Sequence, residues 1–437
     1  MTARPNKKTP DQKTPVQKTP VQIAIAGSGL TAMVMALALA ETGYQIVFFP
    51  AAETPARPDS RTTTIHAAGQ RMLDCLGLWQ ALPILPAPIS RIKLAEGRPQ
   101  RGGWSLDFGD GTSPMAYTAE NSALLTACQQ LLEGEGRVLQ AASPLDTLSW
   151  QEGRPVLRDA AGQLWQPDLL VACDGRDSPA RQAAGLKIGD RPAGQTALVG
   201  RLGLGLPHQD TAWQRFLPGG PLALMPLPEN RAAMVWSLPP EEADRLAAGS
   251  QPDFEAELMA AFGDALGQMR LLDRLAKWPL RPSFVPKRTH SHLVLAGDAA
   301  HALHPLAGMG FNLALSDAAV LADCLAAARQ RGLAADHASI LADYEQRRVV
   351  ETAALSAVTE GLNRLFSTDL LPLFPLPIRP PIQSFGRMPL AARALPARLA
   401  GIGMTLLGRS AMRARLSDIA MGGVLARASL LDGKLPR

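Results

Sequence analysis

Short apolar runs that end at small residues predict the strands of an α/β fold. The first run, over 21–26, stops at Gly27, and an apolar helix over 30–42 and a second strand over 44–49 follow it. A strand, a glycine turn, a helix and a strand in this order, within about 30 residues, predict a βαβ unit. Two further buried strands are predicted at 169–173 and 293–296.

The pattern changes between residues 190 and 290, where hydrophobic and polar positions alternate. Alternation is typical of strands with one buried and one exposed face, and it predicts an antiparallel sheet. The expected strands are 196–201, 222–226 and 232–238, and the expected helices are 254–262 within this region and 310–331 and 340–365 after it.

Composition excludes several protein classes. Of the 437 residues, 46% are hydrophobic and 19% are charged, which suits a large core and rules out a mainly disordered chain. No run of 18 uncharged apolar residues occurs, and no apolar stretch follows the first lysines, so we expect neither a spanning helix nor a secretory signal. The cysteines lack metal-site spacing, which favours a reducing, cytoplasmic setting: Cys75, Cys128, Cys173 and Cys324.

Positive charge is concentrated at the two ends of the chain. Residues 1–22 have a net charge of +4 and residues 364–437 of +8, whereas residues 23–363 have −7. This distribution argues against a nucleic-acid-binding domain and favours contact with an anionic surface through the ends. Residues 1–20 repeat Lys-Thr-Pro, which predicts a disordered basic tail, with no specific role as the alternative to surface contact.

The C-terminal region, 367–437, combines spaced arginines with Leu, Ile, Phe and Met. Two interpretations stay open: amphipathic helices that lie on an anionic membrane or dock a partner, and ordinary helices that pack on the protein with a solvated basic face. The arginines are Arg379, Arg387, Arg393, Arg398, Arg409, Arg413 and Arg415.

The first candidate site is the turn Gly27-x-Gly29-x-x-Ala32, with Leu30 and Thr31 between its small residues. Glycine at the first position permits a tight turn, and glycine at the second lets a pyrophosphate approach the start of the helix. The small residue at the third position lets the helix pack on the strand. The alternative is an ordinary turn between a strand and a helix.

This turn lacks the acidic residue that such sites place at the end of the second strand to bind a ribose hydroxyl. Pro50 occupies that place, and Glu53, three residues later, is the candidate to substitute for the acid. Ribose binding is therefore weakened here or achieved in another way.

Two more loops follow the other buried strands. Asp174 and Gly175 begin the first, which is either a ligand-binding loop or a charged turn. Asp298 begins the second, where a carboxylate can accept hydrogen bonds from a sugar-like chain of hydroxyls. This loop leads into the helix at 310–331, whose positive end can face an anion. Its other candidate residues are Pro305, Gly308, Met309, Gly310, Phe311 and Asn312.

In this order the three loops resemble those of the single-component FAD-dependent aromatic hydroxylases, the class A flavoprotein monooxygenases, and the resemblance covers residues 21–366. Within that family the chain is most similar to the ubiquinone-biosynthesis hydroxylases. The supporting segments are 59–61, 73–79, 207–227, 235–237, 278–280 and 344–348. Pro50, Met309 and Ala193 depart from the family pattern.

The resemblance implies an α/β fold in which a Rossmann-like FAD-binding domain, built from a mixed sheet with helices, receives an inserted antiparallel-sheet substrate domain. The FAD-binding domain would comprise 21–80, 120–190 and 290–366, the substrate domain 81–119 and 191–289, and a basic helical region 367–437. It also implies an oxidoreductase that uses FAD, NAD(P)H and dioxygen to hydroxylate a polyprenylated phenol in ubiquinone biosynthesis.

The resemblance also assigns roles to the candidate residues. Gly27, Gly29 and Ala32 would hold the FAD pyrophosphate with Arg61 nearby, Asp174 and Gly175 would shape a second phosphate loop, Asp298 would bind the ribityl chain, and 308–312 would hold the isoalloxazine ring. Only one dinucleotide-binding unit is visible, so NAD(P)H would bind transiently. We identify no catalytic acid or base, because the flavin performs the chemistry.

Other interpretations remain. His301 and His304 are three residues apart, but no further ligands complete a metal site, and we expect no metal. The protein could instead hydroxylate another aromatic substrate, or be a non-catalytic, flavin-poor subunit of a ubiquinone-synthesis assembly, an alternative that Pro50 supports. We expect a cytoplasmic protein, with peripheral contact at the inner face of the membrane and with other ubiquinone-synthesis proteins as candidate partners.

Overall fold

The computed structural model describes residues 18–52, 60–99, 106–190, 193–305, 308–366 and 428–436. The strands are β1 Lys18–Ala26, β2 Ile46–Phe48, β3 Thr62–His66, β4 Ala87–Ile89, β5 Arg91–Glu96, β6 Leu106–Phe108, β7 Ala116–Glu120, β8 Val138–Gln140, β9 Leu145–Gln151, β10 Arg154–Asp159, β11 Leu164–Ala172, β12 Gly189–Asp190, β13 Gln195–Leu204, β14 Thr211–Leu217, β15 Gly220–Leu227, β16 Arg231–Leu238, β17 Met269–Leu271, β18 Ala276–Leu280, β19 Ser283–Phe284, β20 Thr289–His290, β21 Leu293–Leu295 and β22 His301–Ala302. The helices are α1 Leu30–Ala40, α2 Ala67–Cys75, α3 Asn121–Gly134, α4 Pro179–Ala183, α5 Pro240–Ala248, α6 Gln251–Phe262, α7 Met309–Gln330 and α8 Ala338–Phe366, with short 3-10 turns at Gly297–Ala299 and Leu430–Asp432.

The first sheet has the strand order β20-β21-β11-β1-β2-β8, and the hairpin β9–β10 joins it through β11. The strands from β21 to β8 run parallel. α1 is buried along most of its length because it packs between this sheet, α3 and α7. β1, β11 and β21 end side by side, so the three loops of the sequence motifs start at one edge of the sheet.

The start of β1 corrects the predicted extent of the N-terminal tail. Residues 18–20 do not belong to a disordered tail, because they pair in parallel with residues 164–166 of β11. Their polar and proline-containing sequence is tolerated since β2 pairs only with residues 23–25, which leaves one edge of the strand unpaired at its start. Residues 1–17 lie outside the described part of the chain.

The second sheet has the order β17-β13-β16-β15-β14-β5-β6, and β18 also pairs with β13. Among its described strands the pairing is antiparallel except between β14 and β5. β5 and β6 come from the predicted 81–119 piece; β5 pairs with β14 of the 191–289 piece, and β6 pairs with β5. The domain boundaries themselves stay predictions. A small sheet, β3-β7-β4, contacts α7 on one side and β15 on the other.

Two helices cover the outer face of the second sheet, where the sequence pattern predicts one. α6 matches the predicted helix, and its Phe254 and Phe262 pack edge-on or tilted against Trp236 and Trp213 of the sheet. α5 is missing from the prediction although a proline lies in its first turn and Gly249 follows it, the usual start and stop signals of a helix.

Among the described helices, α7 alone has the length and apolar composition to cross a membrane. Most of it is buried inside the molecule. It is therefore the central helix of the core. The four cysteines are free thiols. Within the described ranges no group of three His, Cys, Asp or Glu side chains could hold a metal ion.

The last described segment, 428–436, packs on α2 and α7. Leu430 and Leu431 are buried in the core beneath the first sheet. The Leu431 carbonyl accepts a hydrogen bond from Arg71 Nε at 3.1 Å, and Ser429 N donates to Asp323 Oδ2 at 3.1 Å. The seven arginines of the predicted basic helical region lie outside the described residues.

Candidate active site

A cleft of about 1090 Å³ lies between the carboxyl edge of the first sheet and the face of the second sheet. Its volume slightly exceeds the roughly 300–1,000 Å³ typical of pockets for single drug-sized ligands. Both sheets and the small sheet between them contribute to its walls. The predicted site residues that border it are Gly27, Gly29, Leu30, Thr31, Arg61, Asp174, Gly175, Asp298, Pro305, Gly308, Gly310 and Phe311.

The loop between β1 and α1 contains two glycines in different surroundings. Gly27 has φ +120°, and a Cβ there would lie 2.6 Å from the carbonyl carbon of Cys173, so only glycine allows β1 to turn beneath β11. Gly29 opens α1, and a Cβ on it would meet nothing within 4 Å. Among the described residues no side chain caps α1, so its first N–H groups are open to an anion. Ala32 of α1 is buried in the core, and it does not line the cleft.

The loop after β11 is held by Asp174. Its Oδ2 accepts a hydrogen bond from Ala180 N at 2.9 Å at the start of α4, while Oδ1 is buried without a partner among the described residues. Burial raises the pKa of this carboxyl. Gly175, with φ +84°, has open space where a Cβ would be. This loop therefore offers the cleft an uncrowded backbone and one unused carboxyl oxygen.

The loop after β21 presents Asp298 to the cleft. The protein surrounding this side chain raises its pKa through desolvation, and His301, Arg176 and Arg61 oppose that shift. Arg61 also lies over the Trp278 ring, 5.1 Å from its centroid. It therefore connects the flavin-fitting side of the cleft to β18 of the second sheet.

A buried ionic network holds the Asp298 loop from below. Asp317 Oδ2 accepts hydrogen bonds from Gly297 N at 2.8 Å and from His301 Nε2 at 2.7 Å, and its Oδ1 accepts one from Arg348 Nε at 2.6 Å. Burial alone would raise the pKa of Asp317, but His301 and Arg348 hold it well below its usual range. Arg348 also pairs with Glu351. His301 thus anchors the loop.

The start of α7 is fitted closely to β3. Gly308 has φ +61°, and a Cβ there would lie 2.5 Å from Thr64 Cβ. Asn312 Nδ2 donates to the carbonyls of Thr64 at 2.8 Å and Gly308 at 2.9 Å, and its Oδ1 accepts from His66 N at 2.9 Å. Asn312 and Met309 are both buried and do not line the cleft. Asn312 instead fixes the position of β3 and of the first turn of α7 beside it.

These loops fit an FAD molecule. The start of α1 offers backbone N–H groups to a diphosphate, Asp298 offers acceptors to hydroxyls, and the open backbone at Gly310 leaves room for a flat ring at the positive end of α7. Pro50 borders the cleft at the end of β2, so the missing acid is not replaced there, and Glu53 lies outside the described residues.

The opposite wall of the cleft is apolar. It is formed by the second sheet and its edge, with Ile92, Leu94, Phe216, Met225 and Val235. His304 lies where this wall meets the FAD-fitting loops. From the sequence it is considered only as a metal ligand. Its Nε2 is 3.0 Å from Gln195 Oε1 of β13, and burial lowers the pKa of the imidazole to about 4. Its position between Asp298 and Gly308 in the third motif is the signal that could have identified it.

Sequence comparisons agree with this geometry. The chain matches the FAD binding domain family over residues 20–358. It is 35% identical over 367 residues to the ubiquinone hydroxylase UbiL of Rhodospirillum rubrum, which covers 80% of this chain and 83% of that protein. It is 30% identical over 360 residues to the 3-demethoxyubiquinol 3-hydroxylase of Escherichia coli, which covers 80% and 91%.

Solved structures share the fold. The p-nitrophenol 4-monooxygenase PnpA of Pseudomonas putida superposes with a TM-score of 0.71 at 17% identity, covering 94% of this chain and 100% of that one. PqsL of P. aeruginosa gives 0.67 at 22% identity, covering 80% and 97%. The predicted α/β fold is confirmed. Since the family match extends over most of the chain and the aligned relatives cover four-fifths of it, the chain belongs to the FAD-dependent aromatic hydroxylases and, within them, to the ubiquinone-biosynthesis hydroxylases.

Proposed function

We propose that this FAD-dependent monooxygenase hydroxylates the aromatic ring of a polyprenylated phenol in ubiquinone biosynthesis. The observation that supports this substrate class is the division of the cleft lining into a polar and an apolar side. One side offers open backbone and carboxylate oxygens, and the other is an apolar wall that includes Phe216 and Met225. The named relatives, a ubiquinone hydroxylase and a 3-demethoxyubiquinol 3-hydroxylase, support the same class.

Bound FAD would supply the redox chemistry, taking a hydride from NAD(P)H and activating dioxygen. The residues of this chain bind and orient. The start of α1 binds the diphosphate, Asp298 accepts hydrogen bonds from hydroxyls, and the start of α7 stabilises negative charge near the flavin. The apolar wall holds the phenol and excludes water from the reacting ring.

The test begins with the visible absorption spectrum of the purified protein after FAD is added and the excess removed. We expect flavin bands that bleach anaerobically with NAD(P)H. Aerobic turnover is then compared for 2-geranylphenol and for 4-hydroxybenzoate, a soluble phenol without a chain. Burial of the isoprenoid chain should favour geranylphenol at least about tenfold in kcat/KM. A preference for the soluble phenol would point to another aromatic substrate, and a protein that retains no FAD would point to the accessory-subunit alternative.

We also propose that the enzyme works at the cytoplasmic face of a membrane, where a polyprenylated substrate resides. The net charges of +4 at residues 1–22 and +8 at residues 364–437 support attraction to anionic lipid. Flotation with vesicles that contain phosphatidylglycerol should recover the protein, and flotation with phosphatidylcholine vesicles should not. Binding that is equal for both, or that persists in high salt, would contradict the electrostatic contact.

A further inference from the structure

The contact between His304 and Gln195 connects the two halves of the cleft. His304 lies in the loop between β22 and α7, next to the residues that fit the flavin, whereas Gln195 begins β13 of the second sheet. The imidazole is 3% exposed and borders the cleft, and Gln195 is buried behind it. A polar side chain with this degree of burial is expected to have a partner for each ring nitrogen.

The geometry of Gln195 fixes which nitrogen of His304 has the hydrogen. Gln195 Nε2 donates to the carbonyl of Gly219 at 2.6 Å, so the oxygen of the amide faces His304. An amide oxygen only accepts hydrogen bonds, and it lies 3.0 Å from His304 Nε2, which must therefore be the protonated nitrogen. Nδ1 of the neutral ring is then an acceptor.

This acceptor is unused in the protein. Nδ1 of His304 is buried and has no hydrogen-bond partner among the described residues. A buried acceptor without a partner is unfavourable, so its retention in a residue that borders a ligand cleft is explained if a bound ligand provides the donor. A phenol has one such donor, its hydroxyl hydrogen.

We propose that His304 Nδ1 accepts the hydrogen bond of the substrate's phenolic hydroxyl and that Gln195 positions His304 for this contact, an inference that rests on the proposed function. The hydroxyl would then be held where the apolar wall meets the flavin-fitting loops. The hydrogen bond orients the phenol ring and increases the electron density of that ring, while the hydroxyl keeps its proton. Because burial lowers the pKa of His304 to about 4, the imidazole is far too weak a base to deprotonate a phenol, whose pKa is near 10.

The test compares the dissociation constants of 2-geranylphenol and geranylbenzene, which lacks the hydroxyl, for the FAD-loaded protein. Binding is followed by the perturbation of the flavin absorption spectrum, without turnover. The wild type should prefer the phenol about tenfold, the value of one neutral hydrogen bond. His304→Gln retains a donor at the place of Nε2 but has no acceptor at the place of Nδ1, and it should abolish the preference. His304→Asn offers its amide oxygen near the place of Nδ1 and should retain most of it.

Gln214→Leu is the matched control, since Gln214 is a polar side chain that borders the same cleft from β14. It should leave the preference unchanged. The positioning role of Gln195 has a separate readout, the nitrogen-15 chemical shifts of the His304 ring, identified by their loss in His304→Gln. The wild type should show the Nε2-protonated form alone, and Gln195→Leu should show both tautomers.

Several outcomes would overturn the inference while the proposed function stands: a wild type that hydroxylates geranylphenol but binds both ligands equally, a preference that survives His304→Gln, or one that disappears with Gln214→Leu. A purely structural role for His304 would give the reverse order, with His304→Asn more damaging than His304→Gln. If the wild type neither binds nor hydroxylates geranylphenol, the proposed function fails, and the inference fails with it.

Discussion

Asp298 is the residue whose exposure to the cleft most directly indicates contact with a ligand. Its neighbours in the loop are buried, whereas Asp298 is open to the cleft, whose protein walls desolvate its carboxyl. Asp298→Ala should therefore weaken FAD binding about 10–100-fold, the value of a hydrogen bond to a charged group, without lowering the thermal midpoint of the apoprotein. Fluorescence titration with FAD measures the affinity. Asp264→Ala, at an exposed aspartate after α6 and away from the cleft, is the control and should change neither quantity. An unchanged affinity in Asp298→Ala would contradict the assignment.

His304 also predicts a pH dependence of stability. In the unfolded chain a histidine binds its proton below about pH 6.5, whereas burial lowers the pKa of His304 in the fold to about 4. Between these values the unfolded state holds one more proton, so this residue makes stability rise with pH, by up to about 3 kcal/mol over the interval. The difference in unfolding free energy between wild type and His304→Gln should shrink by that amount from pH 7 to pH 4. A constant difference would mean that His304 takes up its proton at the same pH in the folded and the unfolded chain.

At the scale of elements, the loop between β1 and α1 separates two roles of glycine. Gly27→Ala places a methyl group against the backbone of Cys173 at φ +120°, so it should destabilise the fold by about 1–3 kcal/mol or more. Gly29→Ala has φ −84° and open space, so the fold should be unaffected, but the methyl group should obstruct the approach of the FAD diphosphate. Thermal unfolding of the apoprotein and FAD titration measure the two effects. Equal losses of stability would refute the distinction.

The same elements show what a sequence can predict. Local patterns predicted the apolar strand β21, the helix α7 and the glycine turn before α1, because each depends on neighbours along the chain. The pairing of residues 18–20 with β11 was missed, since that strand start is polar and is stabilised by a partner almost 150 residues away. The roles of Asn312 and Gln195 were also inaccessible, because Asn312 bonds to Thr64 of β3, 248 residues away, and Gln195 bonds to His304, 109 residues away.

At the scale of the whole molecule, the active site exists only because distant parts of the chain meet. Loops from three parallel strands form the flavin side of the cleft, and the second sheet forms the apolar side. Arg201 of β13 links the second sheet to the small sheet, with a hydrogen bond to Glu120 at the end of β7 at 3.1 Å, and it also bonds to Asp273 after β17 at 2.6 Å. The position of one sheet relative to the other therefore determines the shape of the cleft.

The C-terminal segment is the last contribution to this assembly, and its burial predicts that the fold depends on it. Leu431 is 3% exposed against the core near α2 and α7, whereas Leu435, four residues later, is 47% exposed. Leu431→Ala should lower the free energy of unfolding by about 2–5 kcal/mol because it leaves a cavity in the core, and Leu435→Ala should have almost no effect. Denaturant unfolding of the full chain measures both. Equal and small effects would mean that the segment rests on the surface, and the core beneath the flavin side of the cleft would then be complete without its C-terminus.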